Sequence, residues 1–239
     1  SRIRCKTGGR IEGCTSWKKL YHYLVDFPHY NLYTVVIGKL KRAGMREIFV
    51  TIWEAALPYQ DKRDDDGHAR TALKYAEKLL EMEGGDEDIV IPAIILHDIG
   101  YSQLPRPRRM MIFSKHATPY QRDTIIHEHQ TESVILGEKI LKKLVYPENL
   151  IPEILEIISQ HDSRKGFISK NEGLVRDADK LWRFSEESFS LVKNRDAALR
   201  KTMCERLEKD LEKPDYLSSE SAKQIAREEL KQRKKALRE

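Results

Sequence analysis

Apolar residues recur at helical spacing along almost the whole chain. Trp17, Leu20, Tyr21, Leu24 and Val25 fall at i, i+3, i+4, i+7 and i+8, with Ser16 placed to cap the helix and Pro28 to end it. Leu32, Val35, Val36 and Leu40 continue the period towards Gly44, although the β-branched run from Thr34 to Ile37 also suits a strand. Ile48, Phe49, Ile52, Trp53 and Ala56 form another stripe, closed by Pro58. Beyond a very acidic turn, Asp61 to Gly67, a helix carries Ala69, Ala72, Leu73, Ala76, Leu79 and Leu80 on one face. Asp64 to Asp66 would favour its positive N-terminus, and Gly84-Gly85 would end it.

The second half reads the same way. A short buried helix is predicted over 87–98, and residues 100–128, with three prolines and little periodicity, read as a long loop. Helices follow over about 129–145, through Ile151, Ile154, Leu155 and Ile158, and from Leu174 to Phe189. Leu199, Met203, Leu207 and Leu211 step by four until Pro214, and Ser218 or Ser219 can cap a last, highly charged helix. No strand-like alternation of any length and no internal repeat is present. The expected fold is all-α, roughly eight to ten helices around one main core. The expected organisation is a helical extension over 1–60 packed on a core over 61–192, then a charged helical extension over 193–239.

Composition narrows the class. Of 239 residues, 40% are hydrophobic and 34% charged, too apolar for a disordered chain. The longest apolar stretch, Ile89 to Leu96, contains Pro92 and is too short to span a bilayer. The three cysteines, Cys5, Cys14 and Cys204, form no close pair, which excludes a zinc ribbon and a disulfide framework. With no signal-peptide pattern at the start, a reducing, cytoplasmic setting is expected. The net charge of +5 is unevenly spread. Residues 1–63 carry 12 Lys+Arg against 5 Asp+Glu, residues 64–192 carry 17 against 23, and residues 193–239 carry 14 against 10. The acidic middle also holds six of the eight histidines, which suits a cation site, while basic flanks would suit nucleic acid or a phosphorylated partner.

The candidate chemistry lies in five pieces near predicted helix ends. They are His68 in Asp-Gly-His-Ala-Arg, His97-Asp98 in Leu-His-Asp-Ile-Gly, His129 in His-Gln-Thr-Glu-Ser, His161 in Ser-Gln-His-Asp, and Asp179 in Asp-Ala-Asp-Lys-Leu. Imidazole and carboxylate hold borderline divalent metals, and ligands at helix ends can converge in a bundle. The adjacent His97-Asp98 pair ends an apolar helix, so an ionisable pair sits at the edge of the core, where a metal removes the cost of an unpaired carboxylate. His127 and His129 point about 200° apart on a helix, so one of the two at most ligates, and spacing does not choose between them. His22 and His29 fall outside the pattern. Gly-x-Ser-x-Gly, His-Glu-x-x-His, P-loop and Gly-x-Gly-x-x-Gly motifs are absent.

The ordered set His … His-Asp … Asp, with literal His-Asp-Ile-Gly and a closing Asp-Ala-Asp-Lys-Leu, resembles the HD-domain metal-dependent phosphohydrolases over residues 64–190. The resemblance implies an HD-type helical bundle in which His68, His97, Asp98 and Asp179 are metal ligands. It selects His129 over His127, four residues before Ser133, and with His161 implies a second ion bridged by Asp98. It implies hydrolysis of a phosphate mono- or diester of a nucleotide-like substrate by a metal-activated water. Mn²⁺ or Fe²⁺ would be favoured, with Ni, Co, Zn or Mg as other possibilities. Asp98 and His116 are the catalytic candidates. Arg106, Arg108, Arg109 and Lys115, in an acid-free stretch, and Lys180 are candidates for binding phosphate. Glu128, Asp162 and Asp177 are candidates for orienting the ligands. The other readings are a nucleotide-binding sensor without turnover, docked on nucleic acid or protein through its basic flanks, and a di-iron oxygenase. A homodimer through the C-terminal helix is a further expectation.

Overall fold

The computed structural model describes residues 44–191 and 197–237. The helices expected over 16–28 and 32–44, His22, His29, Cys5 and Cys14 lie outside the described residues. The described residues from Arg46 onwards form one unit. Ten α-helices and no strand are found among the described residues: α1 Glu47–Ala56, α2 His68–Glu83, α3 Glu87–Leu96, α4 Arg106–Met110, α5 Pro119–Lys143, α6 Ile151–Gln160, α7 Lys170–Leu181, α8 Glu186–Leu191, α9 Ala197–Leu211 and α10 Glu220–Ala236. Short 3₁₀ turns cover Leu57–Tyr59, Ile99–Gln103, Met111–Phe113 and Trp182–Phe184.

The core is organised around α3. Every residue from Ile89 to Leu96 is buried, because α1, α2, α6 and α7 all pack on this helix. Asp86 caps it, its side chain accepting from Asp88 N–H at 2.9 Å. Pro92 lacks an N–H and so frees the Asp88 carbonyl one turn earlier. The Tyr146 hydroxyl donates to that carbonyl at 2.7 Å, so the proline costs the helix no unsatisfied group.

The start of α2 differs from its expected form. Asp64 to Asp66 do not occupy its first turn; Gly67, in the left-handed region at φ 90°, is the N-cap. Asp61 does the capping, accepting from Gly67 N–H at 2.9 Å and Ala69 N–H at 3.0 Å. Gly84 at φ 70° ends the helix.

Residues 100–128, expected as a loop, are mostly helical. After the turn Ile99–Gln103 come α4 and another 3₁₀ turn, and α5 begins at Pro119, about ten residues earlier than the apolar period suggested. Thr118 and Gln121 form a reciprocal capping box with proline in the first helical position. Between Pro119 and Glu128 only Ile125 is buried, so the first turns of α5 give almost no hydrophobic period to read. At the other end of the chain α10 packs on α2, α7 and α8 through Ala222, Ile225, Ala226 and Leu230.

Candidate metal centre

Four helix ends deliver the site. His97 and Asp98 leave the C-terminus of α3, His161 and Asp162 that of α6, Asp179 lies in the last turn of α7, and His68 opens α2. His129 comes from the middle of α5 and is fully buried, whereas His127 is exposed. The turn after Asp98 is pressed against α5. Gly100 N–H donates to Ser133 Oγ at 2.8 Å, and a Cβ on Gly100 would overlap the His129 carbonyl and Ser133 N. Only glycine lets Asp98 approach His129 this closely.

Three imidazoles share one anchoring device. His97 Nδ1 donates to Ile94 O at 2.7 Å, His129 Nδ1 to Ile125 O at 3.2 Å and His161 Nδ1 to Ile158 O at 2.8 Å. Each bond fixes the ring and directs the Nε2 lone pair inward. His68 is held differently. Its Nδ1 lies 3.3 Å from Asp65 Oδ2, and its ring stacks on Trp182 with centroids 5.4 Å apart. The inward nitrogen, Nε2, is 2.9 Å from Asp179 Oδ1.

Asp98 divides the cluster into two ligand groups. Its Oδ1 lies 3.5 Å from His129 Nε2 and 3.4 Å from His161 Nε2, with Asp162 Oδ2 3.7 Å from both rings. Its Oδ2 lies 3.5 Å from His97 Nε2 and 3.6 Å from the His68 ring, and Asp179 Oδ1 completes that side, 3.5 Å from His97 Nε2. Asp98, His129, His161 and Asp162 thus form one group able to hold an ion, and His68, His97 and Asp98 another.

The donor set fits a cation. His97 Nε2 is buried and has no hydrogen-bond partner, a costly arrangement for a lone pair unless something coordinates it. The His129 and His161 Nε2 atoms face each other at 3.3 Å with both Nδ1 positions committed to carbonyls. Two lone pairs at that distance need a positive charge between them. Without metal a proton supplies it. Burial pushes His129 down to about 4, while at His161 burial is outweighed by Asp162 and Asp98, which raise it to about 9. At His68 burial is likewise outweighed, by hydrogen bonds to Asp179 and Asp65, and the ring is raised to about 10. Asp98 and Asp179, despite burial, are held well below the usual carboxylate range, Asp98 chiefly by Arg63 and Asp179 chiefly by its bond to His68.

Two residues of this shell were not singled out in the sequence. Arg63 pairs with Asp98 Oδ2 at 2.5 Å and lies over the Tyr101 ring, which in turn stacks on His129. Asp65 accepts from Arg63 Nε at 3.1 Å and sits behind His68. Both belong to the acidic turn before α2, where no apolar period or motif marks them.

The nominated neighbours are dispersed. Arg106 pairs with Asp64, and Arg108 forms a two-bond pair with Glu128, which takes Glu128 away from His129. Arg109 donates to the Lys62 and Leu104 carbonyls. His116 and Lys115 are exposed on the turn before α5, and no hydrogen bond, ion pair or ring contact joins them to the cluster. Lys180 Nζ donates to Tyr216 O at 2.5 Å. Asp177, fully buried, points to the N-terminus of α10 and accepts from the backbone and hydroxyl of both Ser218 and Ser219 at 2.7 to 2.9 Å. Of the three proposed orienting acids, only Asp162 lies at the cluster.

The HD-domain family model matches residues 66–183. Residues 66–183 form an HD domain. A solved structure from an uncultured Thermotogales bacterium, described as a predicted HD superfamily hydrolase, is 16% identical, with a TM-score of 0.53 over 92% of this chain and 95% of that one. That likeness shows the fold. No curated protein matches in sequence. Within this HD domain buried His68, His97 and Asp179 stand beside half-buried Asp98, His129 and His161 add two more imidazoles on the far side of Asp98, and no described helix is long and apolar enough to cross a membrane.

Proposed function

We propose that the protein is a metal-dependent phosphohydrolase with two divalent ions bridged by Asp98. The observation that carries this reading is the division of one buried cluster into two ligand groups sharing the two oxygens of a single carboxylate. His129, His161 and Asp162 would complete one ion's shell, and His68, His97 and Asp179 the other's. Such ions acidify a coordinated water and neutralise charge on a phosphoryl group. The protein's part is to aim the imidazoles with Nε2 inward, through the carbonyls of Ile94, Ile125 and Ile158, and to keep Asp98 ionised. The mixed imidazole and carboxylate set favours Mn²⁺ or Fe²⁺ over Mg²⁺. The substrate is proposed to be a small, nucleotide-like phosphate ester.

The test is phosphate release from a panel of nucleotides and simple phosphate esters by manganese- and iron-loaded protein, beside a His97→Ala/Asp98→Ala variant. Turnover that follows about two bound ions and vanishes in the variant supports the reading. Tight nucleotide binding without turnover would point to a sensor, and oxygen consumption by the iron-loaded form to an oxygenase.

A further inference from the structure

Every cation that the sequence offered for substrate and that has a partner is already engaged with protein: Arg106 by Asp64, Arg108 by Glu128, Arg109 and Lys180 by carbonyls. Lys115 is exposed and makes no hydrogen bond or ion pair with the cluster. The phosphate of the proposed reaction therefore needs other partners, and two arginines at the cluster remain.

Arg63 is the first. Its Nε is taken by Asp65 and its Nη2 by Asp98 and the His68 ring. Nη1 has no hydrogen-bond partner among the described residues, and the side chain keeps 14% exposure. One edge of the guanidinium thus stays open beside the shared carboxylate. The backbone around it is unusual. Asp61 at φ 53° and Asp64 at φ 57° both adopt the left-handed conformation that non-glycine residues rarely use, and they bracket Arg63. Asp61 is locked by capping α2, and Asp65 Oδ1 accepts the Arg63 N–H at 3.0 Å.

Arg183 is the second. It follows Asp179 by four residues, in the 3₁₀ turn Trp182–Phe184 that leaves α7. Its neighbours Trp182 and Phe184 are buried, Trp182 against His68, while Arg183 itself is exposed. It lies within electrostatic reach of Asp179, Asp162 and Arg63. Tyr216 is its strongest charge-interacting neighbour, and no ion pair holds it among the described residues.

We propose that Arg63 and Arg183 hold the substrate's phosphate over the metal centre, one from the strained turn before α2 and the other from the turn after α7. With two dications bound, the carboxylates of Asp98, Asp162, Asp179 and Asp65 are balanced, and the two arginines leave the centre positive. The centre then selects a doubly charged phosphate, the terminal group of a monoester, over the single charge of a diester. This assignment rests on the phosphohydrolase reading and adds its substrate-binding residues and its preferred charge state.

The experiment is calorimetric titration of inorganic phosphate into the full-length, manganese-loaded protein, with metal content measured in every sample. The variants are Arg183→Ala, Arg63→Ala and Arg63→Lys, with surface Lys142→Ala as control. Arg183→Ala and Arg63→Ala are expected to weaken phosphate binding about tenfold or more at unchanged metal content, with partial recovery in Arg63→Lys. Phosphate affinity within about twofold of wild type in both alanine variants overturns the proposal and leaves the phosphohydrolase reading standing. So does metal loss in both variants that parallels the phosphate loss, since the arginines would then support the ligands and not the anion. If Arg63→Ala does not fold, the exposed Arg183 carries the test. A loaded wild-type protein that neither binds phosphate nor releases it from any ester removes the phosphohydrolase reading itself.

Discussion

Gly100→Ala is the most incisive single-atom test of how the fold builds this site. The added Cβ would fall inside the carbonyl of His129 and the backbone N of Ser133, and 2.7 Å from Ser133 Oγ, where about 3.4 Å is ordinary contact. The atoms struck are mostly backbone of the middle of α5, which cannot rotate away. Either α5 or the Ile99–Gln103 turn must retreat by about an ångström or more, which also breaks the Gly100 to Ser133 hydrogen bond. Overpacking plus that bond amounts to about 2–4 kcal/mol. For a unit of this size each kcal/mol moves Tm by about 2–4 °C, so a fall of roughly 4–16 °C is expected. The same retreat separates Asp98 from His129, so the group on that side should lose metal first. Thermal unfolding and metal content, measured together, decide it. A variant with unchanged Tm and full metal would refute the claim that this glycine sets the distance between the two helices.

Asp65→Asn should weaken metal binding about 10–100-fold with little change in Tm, because it removes the charge behind His68 and no apolar packing; titration of the apo protein with manganese reads this. Asp177→Ala should do the opposite, costing about 2–4 kcal/mol in denaturant melts while metal content stays whole, since its bonds all go to Ser218 and Ser219. Tyr146→Phe should cost about 1 kcal/mol by stranding the carbonyl that Pro92 frees, read in the same melts. Metal loading near pH 7 should release about two protons, because His68 and His161, raised to about 10 and about 9, must be neutral to ligate. Calorimetry in buffers of different ionisation enthalpy counts them, and an affinity independent of pH between about 6 and 8 would contradict it. In the apo protein the stability linked to His68 and His161 is present below the ordinary 6.5 and lost as pH rises through about 9 to 10. His129, lowered to about 4 by burial, acts in the other direction, its share being lost as pH falls from 6.5 towards 4.

What the sequence determined by itself was the helical class and the candidate histidines and aspartates that the fold brings together. Helices with one apolar face, such as α2 and α6, announce themselves because burial imposes a 3.6-residue period on adjacent residues. The ordered histidines and aspartates were legible because each lies in a short motif, although His129 sits in the middle of α5 rather than at a helix end. The start of α5 was not, because its early turns bury only Ile125 and so carry no period, although Thr118, Pro119 and Gln121 spelled out its cap. Only the tertiary structure could choose His129 over His127 without appeal to a family, since the choice depends on which face of α5 meets the α3 turn. It alone could show that Asp177, two residues from a ligand, serves α10, whereas Asp65 and Arg63, which no pattern marked, serve His68 and Asp98. Helix periodicity is a local property, written in neighbouring residues. The partner of a charge is set by which elements the core brings together, and Arg63 meets Asp98 across 35 positions of chain.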